Sequence, residues 1–288
     1  QSGYDDHKIA EQISKDLNNQ FSFISLDNAD YLTELDENLA IYDGLIFYLA
    51  SAHYNYTLNN LAIENAGVIH TGQIGDAILG GFVSLGKPNY LSSMMSRKLE
   101  HKLAPIDTSK YVSEETFKLY NRLFNVTTAG CYVSSHHQSY LASPFLDPEF
   151  ISLCLSLHPS LKKEGKIYFE WINKLRPEIT NYKWEKTGFK PDAQWKNKLS
   201  QYTKKIKKTY FSATNQQHKT SMNPYDYWYN NNKYVASFFE NHFQNNIDCI
   251  ENIELNNDAS SLFENGNTIE KSMVITLLSV IKKLNLTT

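Results

Sequence analysis

The chain reads as an α/β protein in which an open parallel sheet gives way to a mostly helical lobe, and three observations predict this. Ala66 to Phe82, AGVIHTGQIGDAILGGF, runs from an apolar strand at Val68-Ile69 through the turn Gly72-Gln73-Ile74-Gly75-Asp76 into a helical turn closed by Gly80-Gly81. Upstream of it, helical spacing and an aromatic alternating run follow one another in the order of an α/β unit. Downstream of Phe82, helical spacings dominate and strands are hard to find.

In chain order, Asp5 to Asn18 places Ile9, Ile13 and Leu17 on one face of an amphipathic helix opened by Asp5-Asp6. Phe21-Ser22-Phe23-Ile24-Ser25-Leu26 alternates and is aromatic, which predicts a strand. Asp30 to Leu39 and Gly44 to Glu64 read as helices, the second stopped by Gly67. The strand from Val68 then leads into the glycine turn. Beyond it, helices are predicted over Tyr90–Leu103, Glu114–Phe124, Glu149–Leu157, Tyr168–Leu175, Trp195–Thr209, Tyr225–Phe243 and Ile269–Leu284, broken by joints such as Ser143-Pro144 and Arg176-Pro177. Residues 1–86 are therefore expected to form the α/β part, and residues 87–288 a helical lobe completing the same domain.

Composition excludes several classes. At 288 residues, with 41% hydrophobic and 20% charged side chains, the chain is an ordinary globular protein. Its 28 basic and 31 acidic residues leave a formal charge of -3, so no footprint for nucleic acid is visible. Cys131, Cys154 and Cys249 are widely spaced and read as reduced thiols of a cytoplasmic protein. No run is long enough to span a membrane. His136-His137 lacks ligand spacing for a metal. The Lys204–Lys208 cluster reads as a solvated helix face, and Asn223–Tyr234 as the polar entry to an aromatic-packed helix.

The chemistry concentrates at Gly72–Asp76. At the carboxyl end of a strand in an open sheet, backbone amides and the positive end of the next helix collect, and ligands bind there. A carboxylate in that position repels phosphate unless a cation intervenes, so Asp76 is either a Mg²⁺-holding group or an ordinary helix N-cap. The residue types alone leave both open.

Four blocks in order resemble the asparagine synthetase family. GQIGDAILGGF is similar to that family's Gly-Glu-Gly-Ser-Asp-Glu followed by Leu-Phe-Gly-Gly-Tyr. Ser143-Pro144-Phe145-Leu146-Asp147 resembles Arg-Pro-Phe-Leu-Asp, and the helix after it ends in Leu157-His158-Pro159. Lys166 comes next, and Lys186-Thr187-Gly188-Phe189-Lys190-Pro191 resembles Lys-x-Gly-Phe-x-x-Pro. The resemblance implies a partial doubly wound parallel sheet of the adenine nucleotide alpha hydrolase type. It implies ATP-dependent activation of a small-molecule carboxylate as an acyl-adenylate, release of Mg-pyrophosphate, and attack by ammonia, glutamine-derived nitrogen or an amine. By the same resemblance Asp76 would hold Mg²⁺, Lys166 and Lys186 would neutralise phosphate oxygens, and Gly72, Gln73 and Gly75 would line the ATP site, in a protein free to form oligomers.

The departures are as specific. No Ser-Gly-Gly-x-Asp-Ser nucleotide loop stands before Asp5; Ser2-Gly3-Tyr4-Asp5-Asp6 lacks its second glycine and final serine. Gln73 replaces a Glu and cannot act as a general base. Ala77 and Ser143 replace a Glu and an Arg, and no N-terminal Cys is present for glutamine hydrolysis. Three readings follow: a C-terminal fragment of an asparagine-synthetase-like enzyme, inactive alone; a related ligase with another acceptor; or a non-catalytic paralogue serving as a binding module.

Overall fold

A computed structural model of the chain describes residues 6–61, 67–83, 90, 96–184, 187–191, 193, 196, 199–200 and 223–286. Its helices are α1 (Asp6–Asp16), α2 (Leu35–Tyr42), α3 (Leu49–Asn59), α4 (Glu114–Lys118), α5 (Phe124–His136), α6 (Pro148–Ser156), α7 (Pro159–Lys162), α8 (Lys166–Leu175), α9 (Tyr225–Asn231), α10 (Lys233–Asn246), α11 (Ile253–Asn265) and α12 (Thr268–Leu284). Two strands, β1 (Val68–His70) and β2 (Tyr140–Ala142), pair in parallel with Val68 opposite Tyr140 and His70 opposite Ala142. The chain is thus α/β, with a small parallel sheet set among helices.

Three expectations are corrected. Phe21–Leu26 carries no strand; Phe23 is 57% exposed, and among the described residues no segment pairs with it. Alternation makes a segment strand-competent, but a ladder needs a partner. The helix expected from Gly44 starts only at Leu49, because Asp43 and Gly44 both adopt positive φ (49° and 69°) and break it. β2, unforeseen, is too short for alternation to be visible. The Tyr225–Phe243 helix is also two helices, since the Asn232 side chain accepts from the Tyr234 and Val235 amides and starts α10 afresh. The predicted helices at residues 195–209 and the lysine cluster at residues 204–208 fall mostly or wholly outside the described residues.

The larger core joins the two ends of the chain. Tyr31, Leu32, Leu35, Leu39, Tyr48, Leu49 and Ala52 pack against Trp228, Val235, Phe239, Phe243, Phe263, Val274, Ile275 and Leu278. Phe243 and Phe263 stack with ring centroids 4.1 Å apart. Two of the buried tyrosine hydroxyls are satisfied by main chain: Tyr42 donates to the Tyr48 carbonyl (2.6 Å) and Tyr48 to the Leu32 carbonyl (2.5 Å). α12 begins with a capping box in which Asn267 and Glu270 satisfy each other's amides. A smaller cluster, Ile74, Ala77, Ile78, Leu79 and Cys154, lies under the glycine turn and is covered by Phe145, Leu146, Phe150 and Tyr168. Among the described residues no helix is long and apolar enough to cross a membrane.

Burial holds the His53, His137 and His242 imidazoles below their ordinary range. A base depressed in the fold binds its proton more readily when unfolded, so stability is lost as pH falls through the unfolded value of about 6.5. Burial raises the Glu34 carboxyl, which acts in the opposite sense, but one carboxyl faces three imidazoles. The melting temperature is expected to fall between about pH 7 and about pH 5.5, and His53→Gln to flatten that slope. An unchanged slope in the variant would remove His53 from the account.

Candidate functional site

β1 delivers the chain to its carboxyl end, where the Thr71 amide donates to the Ala142 carbonyl (2.8 Å) and extends the ladder by one bond. The turn then closes on itself: Gly75 N–H donates to the Gly72 carbonyl (3.1 Å) and Ile78 N–H to the Ile74 carbonyl (3.0 Å). Ile74 has φ +68°, an unusual conformation for a β-branched residue, at a cost of about 1–3 kcal/mol. It is only 5% exposed, and burying such a side chain returns about 1.5–3 kcal/mol. The family motif quoted above has glycine here; in this chain the isoleucine side chain fills the cluster beneath.

Each glycine in the turn has a different reason. A Cβ on Gly75 would lie 2.8 Å from the Phe145 ring, so the SPFLD segment floors the turn. Ser143 reinforces this by donating to the Gln73 carbonyl (2.8 Å), and Asp147 caps α6 by accepting from the Phe150 amide (2.8 Å). Gly80 has φ +132° and sits on the Lys162 carbonyl. Gly72 is exposed, and among the described residues a Cβ there would meet nothing within 4 Å, so none of them requires glycine at 72.

Asp76 is exposed, makes no cap hydrogen bond, and has helical dihedrals rather than those of an N-cap. The N-cap alternative is therefore corrected. Among the described residues its carboxylate has neither an ion pair nor a side-chain hydrogen bond, and no group of three or more His, Cys, Asp and Glu side chains gathers to hold a metal. A Mg²⁺ shared with phosphate oxygens needs only one or two carboxylates, and the exposed Asp76 fits that demand. Gln73 is turned the other way: its amide group lies 3.2 to 3.3 Å from a Cβ built on Gly130 of α5.

Lys166 is exposed at the first residue of α8, directly after Lys163–Gly165, which lies against Ala77–Gly81. Lys186 lies outside the described residues. A further lysine, not singled out by its sequence, packs against the turn. Lys162, fully buried, donates to both carboxylate oxygens of Glu115 (2.6 Å each) and to the Cys154 carbonyl (2.9 Å). His137 hydrogen-bonds Asn55 (2.8 Å) and His136 lies 3.7 Å from Glu37, both as parts of the α2–α3–α5 packing.

Residues 1–137 match the asparagine synthase family. The match covers a little under half of the chain. The matched residues take in the glycine turn, Asp76 and Gln73, and stop just before β2. The Ser143–Asp147 block, Lys166 and Lys186 lie beyond it, so their likeness to the family rests on the motifs alone. No curated protein and no solved structure matches the chain.

Proposed function

We propose that this chain is the synthetase portion of an asparagine-synthetase-like ligase that activates a carboxylate with ATP and Mg²⁺ and forms an amide with ammonia, glutamine-derived nitrogen or an amine. The observation that carries the reading is Asp76: an exposed carboxylate that among the described residues has no ion pair or side-chain hydrogen bond, at the carboxyl end of β1 and inside the residues that match the asparagine synthase family. In this reading Asp76 holds the metal and Gly72 gives phosphate access to the turn. Lys166 and Lys186 neutralise phosphate oxygens before charge moves onto the leaving pyrophosphate. Bound Mg²⁺ would supply the countercharge that lets phosphate sit beside a carboxylate.

The small sheet supports the fragment version. Gly67 and Thr71 bond toward β2, so Val68 and His70, of opposite parity, turn their main-chain groups outward, and among the described residues no strand takes that edge. Parallel sheets are ordinarily covered and continued. A further parallel strand ending in a nucleotide loop would complete both the sheet and the phosphate cradle, in the doubly wound manner of the family. The placement of Gln73 against α5 favours an acceptor other than the family's usual one, because no general base stands where its glutamate would.

The test is ligand-induced stabilisation of the full chain. Mg-pyrophosphate or Mg-ATP at about 100 times its Kd should add about 2.7 kcal/mol and raise the melting temperature, with the shift lost in Asp76→Asn and reduced in Lys166→Ala. A shift that survives Asp76→Asn would remove the metal from this carboxylate.

A further inference from the structure

A lysine with none of its side chain exposed is among the rarest environments for that residue, and here it lies beneath the glycine turn. Lys162 is the last residue of α7. Its ammonium has three donors, and three oxygens receive them: Oε1 and Oε2 of Glu115 on α4, and the carbonyl of Cys154 on α6. Lys118 and Glu114 form a second buried pair beside the first, also on α4. Desolvating such a pair costs several kcal/mol, and apolar side chains of similar volume commonly pack as well or better. Stability alone is thus a poor reason for these charges.

What the pair does supply is a fixed position. An apolar side chain at residue 162 could slide against its neighbours, whereas an ammonium held by three oxygens from two other helices cannot. The main chain of Lys162 passes that position on, because its carbonyl oxygen lies 2.4 Å from the Cβ position of Gly80. Gly80 and Gly81 close the turn that opens on Asp76, and a Cβ on Gly81 would lie 2.9 Å from the Asp76 carbonyl oxygen. An unbroken line of contacts therefore runs from Glu115 through Lys162 and Gly80 to Asp76.

We propose that Lys162, clamped by Glu115 and the Cys154 carbonyl, is a positioning residue that sets the height of Ala77–Gly81 and so the place of the Asp76 carboxylate. Lys162 does not touch the ligand; it acts through Gly80. The role assigned to Asp76 rests on the function proposed above, while the effect on the turn does not.

The experiment uses the full chain as wild type, Lys162→Met, Glu115→Gln and a control, Phe243→Leu, which weakens the larger core elsewhere. Amide hydrogen exchange is followed in peptides covering residues 74–82 and 233–284, together with the melting shift produced by Mg-pyrophosphate. Lys162→Met and Glu115→Gln should speed exchange in 74–82 by about tenfold or more while leaving 233–284 protected, and should shrink the Mg-pyrophosphate shift. Phe243→Leu should loosen 233–284 and spare the turn. Unchanged exchange in 74–82, or a rise no larger than in the control, overturns the proposal. If the wild type shows no shift with Mg-pyrophosphate, the ligand reading of Asp76 fails and the exchange result still decides the role of Lys162. If Lys162→Met does not fold, Glu115→Gln, which keeps a hydrogen-bonding side chain, carries the same test.

Discussion

Gly80→Ala is expected to unfold the lobe around the glycine turn, at a cost of about 3 kcal/mol or more. Two costs combine. An L-residue is strained at φ +132°, and the new methyl would press on the Lys162 carbonyl oxygen at 2.4 Å. That neighbour is backbone, so relief requires moving α7 and drawing the Lys162 ammonium away from Glu115. In a chain of this size the loss corresponds to roughly 6–12 °C in melting temperature. Gly72→Ala is the matched control, with open space at its Cβ and no positive φ; it should stay within about 0.5 kcal/mol of wild type. A Gly80→Ala protein as stable as Gly72→Ala would mean that the turn does not rest on Lys162.

The contrast between these glycines marks the limit of what the sequence disclosed. Motif order placed β1 and the turn correctly, because each is a local signal: an apolar strand and glycines. Lys162 was missed for the opposite reason. In HPSLKKEGK it reads as one of several surface lysines, and its partner Glu115 lies far away in sequence, so only the fold reveals that the charge is buried. Ile74 was unreadable in the same way, since β-branched residues rarely take positive φ and only the cluster beneath makes the exchange worthwhile. Phe21–Leu26 shows the converse error, a strand pattern without a partner.

The carboxyl-terminal residues, which no family motif reaches, supply the last prediction. Phe239 is fully buried on α10, with its ring centroid 6.5 Å from Tyr48 and 5.6 Å from Tyr229. Tyr48 lies within the residues that match the asparagine synthase family and ties the start of α3 to the segment ahead of α2 by donating to the Leu32 carbonyl. Removing the Phe239 ring would leave a cavity between the two ends of the chain, costing about 3–5 kcal/mol. The damage should cross the edge of the family match: Phe239→Ala should lower the urea midpoint and speed amide exchange in α2 and α3 as well as in α10 to α12, since one core holds both. The physical alternative is that Tyr31, Leu32, Leu35 and Leu49 hold together by themselves. If exchange rises only in α10 to α12 while residues 30–59 keep their protection, that alternative is correct and residues 30–59 do not depend on the carboxyl-terminal helices.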